Sequence, residues 1–227
     1  MTERKFRHEY KYFISYSDYL ALKSRLDVVA QRDPHAGPEG KYFIRSLYFD
    51  NVYDKALREK VDGINNREKF RIRCYNGDDS FVRLEKKSKI DGLCNKISAP
   101  VTRDEVMKII DRDIEWMKDS KHGLIVELYS KMRAGLLKPR VLVDYTREPY
   151  IYKPGNVRIT FDYDIKTGLY NKEIFDFKAP TIPTNAESIL LEVKFDEFLP
   201  GIIQDILQVN NRQSQAFSKY GACRMYG

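Results

Sequence analysis

Charged and apolar side chains alternate along several stretches of this chain. In residues 6–14, Arg7, Glu9 and Lys11 interleave with Phe6, His8, Tyr10 and Tyr12. A period of two places the two sets on opposite faces of a strand. The same alternation sets Lys69, Arg71 and Arg73 opposite Phe70 and Ile72, and Glu85 and Lys87 opposite Leu84. It returns with Arg158, Thr160 and Asp162 against Val157, Ile159 and Phe161, and with Glu192 and Lys194 against Leu191, Val193 and Phe195. Arg147 falls on the face of Val143 and Tyr145. Strands are predicted over residues 6–14, 42–50, 68–75, 81–89, 95–99, 140–150, 156–162 and 188–195. Asn76-Gly77-Asp78-Asp79, Asp91-Gly92 and Lys153-Pro154-Gly155 read as turns between neighbouring strands.

Helical spacing appears between these runs. Ser17 opens a helix whose apolar face carries Leu20, Leu22, Leu26 and Val29, and a short helix is predicted over 53–60. Thr102 with Glu105 three residues on is a capping box, which predicts a helix to about Met117. Further helices are predicted over 122–137, stopped by Pro139, over 202–209 after Pro200-Gly201, and over 213–219. Residues 163–168 read as a connection, and Pro180 and Pro183 break the chain before the last strand. Regular βαβ units are missing from this order. It therefore indicates an antiparallel α+β protein.

With 227 residues, 42% of them hydrophobic, the chain is too apolar for a disordered segment and suits one domain spanning 1–227. No apolar run approaches the roughly 18 residues of a membrane span. The charged and aromatic start is not a secretory signal. Three cysteines without a CxxC pair argue against a disulfide framework or zinc site and point to the cytoplasm. Three scattered histidines offer no His-based metal site, and His8 lies on an aromatic face where packing is its expected role.

Lys and Arg total 40 against 33 Asp and Glu, a net charge of +7. The placement of those charges carries more than their sum. The polar strand faces are almost all Arg, Lys and Glu, and like charges stack two apart, as at Arg71 and Arg73. Such stacking is costly unless an anion or carboxylate lies between. One outcome is an antiparallel sheet with a solvated charged face. The other is a barrel with that face inward, whose lumen needs an anionic ligand. Converging guanidinium groups suit phosphate, and carboxylates among them suit a divalent cation with oxygen ligands.

In order, the strands read Arg7-His8-Glu9-Tyr10-Lys11-Tyr12, Ser46-Leu47-Tyr48-Phe49-Asp50-Asn51, Lys69-Phe70-Arg71-Ile72-Arg73 and Glu85-Lys86-Lys87. They continue with Arg147-Glu148-Pro149-Tyr150, Val157-Arg158-Ile159-Thr160-Phe161-Asp162, Leu191-Glu192-Val193-Lys194 and Phe217-Ser218-Lys219-Tyr220. This ordered set resembles the catalytic VTC domain of the vacuolar transporter chaperone, a polyphosphate polymerase of the CYTH-like or triphosphate tunnel metalloenzyme superfamily. The resemblance covers nearly the whole chain. It implies an α+β fold, an antiparallel eight-stranded β-barrel tunnel with flanking helices. It also implies that the γ-phosphate of ATP passes to a polyphosphate chain within a basic tunnel, with ADP released.

By the same resemblance, Lys11, Arg71, Arg73, Lys87, Arg147 and Arg158 contact phosphates, joined by Lys96 and by Lys219 from the terminal helix. Glu192 binds Mn²⁺ or Mg²⁺, and with Arg71, Arg73, Lys87, Arg147 and Arg158 makes up the catalytic set. Glu9 and Glu85 are further candidates, as metal ligands or as partners of neighbouring Arg and Lys. The superfamily's hydrolases and cyclases carry two or more glutamates before the first-strand lysine. Here Arg7 stands two residues before Glu9, which resembles the polymerase branch. The implied partners are a nucleoside triphosphate, polyphosphate and a separate membrane protein, since the chain reads as a free-standing catalytic domain; no specific nucleic acid is expected. A triphosphatase of the same fold, a polyanion-binding module without turnover and a nucleic-acid binder are the alternatives.

Overall fold

The computed structural model describes residues 7–184, 188–208 and 213–225. Ten strands are described: β1 His8–Ile14, β2 Gln31–Arg32, β3 Tyr42–Asp50, β4 Arg67–Tyr75, β5 Asp78–Ile90, β6 Leu93–Val101, β7 Lys138–Tyr152, β8 Val157–Thr167, β9 Ile182–Pro183 and β10 Ile189–Phe195. The helices are α1 Tyr16–Val29, α2 Lys55–Val61, α3 Arg103–Ile110, α4 Gly123–Ala134, α5 Gly201–Ile206 and α6 Lys219–Arg224. Eight strands form one antiparallel sheet in the order β1-β10-β8-β7-β3-β4-β5-β6, with β2 added on β7 and β9 on β8. The sheet curls until its edges meet. Strand β6 touches the start of β1 through one bridge, Arg7 with Cys94, closed by backbone bonds of 3.2 and 3.3 Å. The expected antiparallel eight-stranded α+β architecture is therefore present as a half-barrel, and among the described residues one backbone bridge joins its edges.

The convex face follows the apolar half of each alternation. Phe70, Ile72, Leu84, Val82 and Ala99 pack beneath Val106 and Ile109 of α3 and Leu124, Ile125 and Leu128 of α4. On the other side, Ile159, Phe161, Leu191 and Val193 pack beneath Tyr19, Leu22 and Leu26 of α1 and Ile203 of α5. Each fully buried side chain of this kind contributes about 1.5–3 kcal/mol, so the curvature rests on two dry outer layers. The concave face has a third, smaller cluster. Ile44, Tyr48, Val143 and Tyr145 meet Tyr220 and Cys223 of α6, which lies inside the curl.

Several expected boundaries move, each for a local reason. Helix α1 starts at Tyr16, not Ser17, because Ser15 is its cap and Asp18 completes a capping box. The helix capped by Thr102 ends at Ile110, since Arg112 takes a left-handed conformation and a separate 3₁₀ turn, Glu115–Asp119, carries Met117 back into the core. Helix α4 stops at Gly135, short of residue 137. Residues 163–167 extend β8 rather than connect it, because beyond a bulge at Asp164 and Ile165 in β8 Lys166 and Thr167 pair with Asp144 and Val143 of β7. Residues 213–218 are not helical; Lys219 begins α6 instead of ending a helix. Phe6 and Val209 of the expected elements lie outside the described residues. Among the described residues no helix is long and apolar enough to cross a membrane, which says nothing of membrane β-barrels.

Leu128 is fully buried between α4 and the sheet. Leu128→Ala should lower the unfolding free energy by about 2–5 kcal/mol in urea titrations; a loss under about 0.5 kcal/mol would mean that this layer does not support the curl.

Candidate active site in the concave face

Two tight turns set the register of the site's basic wall. Asn76-Gly77 joins β4 to β5 with both residues at positive φ, 51° and 76°, and Asp91-Gly92 joins β5 to β6 with 48° and 82°. Such turns match strand twist and lock the pairing. The register then places Arg71 opposite Glu85, but Lys69 opposite Lys87 and Lys87 opposite Lys96. Three ammonium groups thus stand in a row across three strands, an arrangement that costs free energy without an anion.

The first wall is built from β1, β10, β8 and β7. Antiparallel pairing sets Glu9 opposite Lys194 and Lys11 opposite Glu192. The four groups form a ring of alternating charge. Lys194 Nζ bonds Glu192 and lies 3.4 Å from Glu9, while Lys11 Nζ lies 3.4 Å from Glu9 and 3.6 Å from Glu192. Across the seam, Lys87 Nζ bonds both Glu9 oxygens at 2.7 Å. Beside the ring, Arg147 grips Asp162 with two bonds of 2.6 and 2.7 Å, and Lys219 reaches the same carboxylate at 2.6 Å. Burial opposes the ionisation of Glu192. Lys194, Lys11, Lys219 and Arg147 outweigh it and hold the carboxyl well below the usual carboxylate range. Glu9 is likewise lowered against its burial by Lys87, Lys11 and Lys194, in spite of Glu192 nearby.

The facing wall carries Arg71 and Arg73. Arg71 bonds Glu85 at 2.8 Å through Nε and Tyr48 at 2.7 Å through Nη1. Arg73 bonds Ser46 at 3.2 Å and Tyr145 at 2.9 Å, and lies 3.6 Å from Glu85. Lys96 donates to the other Glu85 oxygen at 3.1 Å. Both oxygens of Glu85 are thereby engaged by cations. Toward one mouth, a cavity of about 110 Å³ is lined by Lys11, Lys60, Arg67, Lys69, Lys87 and Lys89, with Glu9 and Glu68 as its carboxylates. The extended segment 213–218 forms its roof. Gln215 N bonds Lys11 O at 2.9 Å, Lys11 Nζ donates to Phe217 O at 3.2 Å, and Lys69 Nζ donates to Ser218 Oγ at 2.9 Å. Burial, then the neighbouring Lys87, Lys11, Arg71 and Arg67, push Lys69 well below the usual lysine value. Lys87 is also lowered, by burial and by Lys11 and Lys194, although Glu9 opposes this.

The structure therefore gathers Lys11, Arg71, Arg73, Lys87, Arg147, Glu192, Glu9, Glu85 and Lys219 on one concave surface. Lys96 joins at its rim, 55% exposed in its side chain. Arg158 lies opposite Lys194 in register, bonded to Asp33 at 2.6 Å and Tyr42 at 2.9 Å. Sequence reasoning left out Lys69, Lys194 and Asp162 as site members. Each shares its strand face with a residue that was named, so the alternation held the signal; register was needed to read it. Thr160, between Glu192 and Pro149 in register, has a buried hydroxyl with no hydrogen-bond partner among the described residues. An unpaired buried hydroxyl costs about 1–3 kcal/mol, and a ligand oxygen would satisfy it.

No cluster of three His, Cys, Asp or Glu occurs among the described residues. The chemistry still fits a hard divalent cation of the kind that keeps one or two carboxylates and completes its shell with phosphate and water. Glu192 and Glu9 are ionised and sit on neighbouring strands, so they are the pair that suits it.

The family model of the VTC domain matches residues 6–226. Two solved structures share the fold. A candidate adenylate cyclase from Bacillus halodurans is 14% identical with a TM-score of 0.55, over 90% of this chain and 89% of its own. A candidate adenylyl cyclase from Hippeastrum, described as having a dominant triphosphatase activity, is 13% identical with a TM-score of 0.58, over 97% and 96%. No curated protein matches the sequence.

Between its depressed value and the ordinary 10.5, Lys69 is neutral in the free protein. A bound polyanion favours the ammonium. Tripolyphosphate binding in that range should therefore take up protons, and Lys69→Met should reduce the uptake. Calorimetry in buffers of different ionisation enthalpy measures this; binding without uptake would contradict the assignment of Lys69 to the anion site.

Proposed function

The chain belongs to the VTC domain family, and on that premise we propose that it is a polyphosphate polymerase. In this reading the γ-phosphate of ATP is transferred to the end of a polyphosphate chain within the basic concave face. The observation that carries the reading is the surplus of cations there, above all the half-buried Lys69 and Lys87 with Lys96 at the rim, a row that meets two carboxylates, Glu9 and Glu85.

Phosphoryl transfer asks mainly for positioning and charge neutralisation. Arg71 and Arg73 are held before any substrate arrives, by Glu85, Tyr48, Ser46 and Tyr145. Arg147 is held by Asp162. Preset guanidinium groups grip phosphate oxygens without reorganising during the reaction. Lys11, Lys87 and Lys219 add point charges along the path, with Lys96 and Arg158 serving its two ends. An oxygen of the terminal phosphate of the acceptor attacks the γ-phosphorus, and the bond to the β–γ bridging oxygen breaks, so that ADP leaves. The acceptor oxygen is already anionic, so no strong general base is called for. When bound, Mn²⁺ or Mg²⁺ would draw charge from the phosphate oxygens. Glu192 would hold it, with Glu9 beside it, whereas Glu85 orients Arg71 and Arg73.

A triphosphatase that uses water as acceptor is the second reading. The triphosphatase activity described for the Hippeastrum protein of the same fold favours it. A cytoplasmic location with a membrane-protein partner for the product accompanies the polymerase reading.

Incubation with ATP and Mn²⁺, with and without a short polyphosphate primer, separates the two readings. Growing chains with matching ADP release are expected; orthophosphate release without growth would replace the polymerase by the hydrolase. Glu192→Ala should lower turnover by about 10²–10³ while tripolyphosphate binding persists. Arg71→Ala should weaken both, with binding falling about 10–100-fold for a lost charged hydrogen bond. Full activity in Glu192→Ala would exclude the metal role.

A further inference from the structure

The sequences Glu9-Tyr10-Lys11 and Glu192-Val193-Lys194 run antiparallel on neighbouring strands, so each glutamate faces the other strand's lysine. The resulting ring is neutral in itself, with two carboxylates and two ammonium groups. Lys194 bridges it: its ammonium bonds Glu192 and lies 3.4 Å from Glu9. Lys11 closes the other side at 3.4 and 3.6 Å. Every carboxylate oxygen that suits a divalent cation thus already has an ammonium next to it. Lys87 and Arg147 press further positive charge on the same two carboxylates. A dication entering this ring with both lysines in place would leave two uncompensated charges in a buried site, which is unfavourable.

We propose that Lys194 is a positioning residue that keeps divalent cations off Glu9 and Glu192 until a phosphate chain draws its ammonium away. This rests on the reading of Glu192 as the metal ligand. Metal then enters together with the polyanion, and the empty tunnel does not take up free Mn²⁺. The lysine at 194 is what sets this order, because a neutral side chain there would leave the ring with a net negative charge and open a pair of carboxylates to a cation.

The test is Mn²⁺ titration of the whole protein, with no phosphate present, read by the electron paramagnetic resonance of free Mn²⁺. K194M should bind one Mn²⁺ at least tenfold more tightly than the unaltered protein, and K194Q should show the same gain. Adding E192Q to K194M should abolish it. A merely structural role for Lys194 would produce a loss or no change. Equal affinity in K194M, K194Q and the unaltered protein would overturn the proposal, as would a gain that survives E192Q. Melting curves with and without tripolyphosphate confirm that each variant is folded, and K194Q decides if K194M is not. The two readings fail separately: chain growth without a gain in K194M rejects the gating role alone, and the gain without chain growth rejects the polymerase alone.

Discussion

Burying a cation-rich face inside a curled sheet is the constraint on which the rest of this structure depends. A flat antiparallel sheet would leave its charged side chains to water. Here the curl turns them inward, and the protein must compensate them itself. It does so in part, through Arg147 with Asp162, Arg71 with Glu85 and the Glu9–Lys11–Glu192–Lys194 ring. The lysine row of β4, β5 and β6 is left with one carboxylate on Lys87 and one on Lys96, and among the described residues Lys69 bonds a hydroxyl. Burial first, and then the cations around it, lower its pKa. An anion resolves the shortfall, and a chain of phosphates does so along the whole groove.

The outer layers make the inner one possible. The convex residues Ile72, Leu84, Phe161 and Val193 are fully buried under helices, so the strands cannot flatten to release the charges. The functional side chains sit on those strands and are held by a further set of contacts, such as Tyr145 and Ser46 on Arg73. The roof is more local. Segment 213–218 and α6 lie in the concavity, tied by Lys11, Lys69 and the Lys219–Asp162 pair, with Tyr220 bonded to Asp50 at the base. The C-terminal segment therefore shares its anchors with the proposed phosphate path.

What the sequence showed plainly was which residues share a face. Alternation is local, and the tunnel members Arg71, Arg73 and Glu192 followed from it with the family resemblance. Register is not local. That Lys69 meets Lys87, or that two Glu-x-Lys motifs close a ring, depends on turn geometry and on the pairing of β1 with β10, strands at opposite ends of the chain. The misplaced last helix has a similar cause. Residues 213–218 stay extended because Gln215, Ala216 and Phe217 bond groups on β1 and α2, and these tertiary bonds override helical preference. Helix α1 starts before Ser17 because Ser15 stands three residues before the Asp18 that completes its cap. Arg158 was assigned to the phosphate path by its motif; that Asp33, the cap of a distant 3₁₀ turn, holds its guanidinium was beyond local reading.

The central claim is that the folded protein carries uncompensated positive charge which a phosphate chain neutralises. Urea unfolding with increasing tripolyphosphate, at constant ionic strength and without metal, tests it most directly. The account predicts that the unfolding free energy rises by about 1.4 kcal/mol for each tenfold increase in tripolyphosphate above its Kd, with no such rise when chloride replaces it. An unfolding free energy that ignores tripolyphosphate, or that chloride raises equally, would contradict the account.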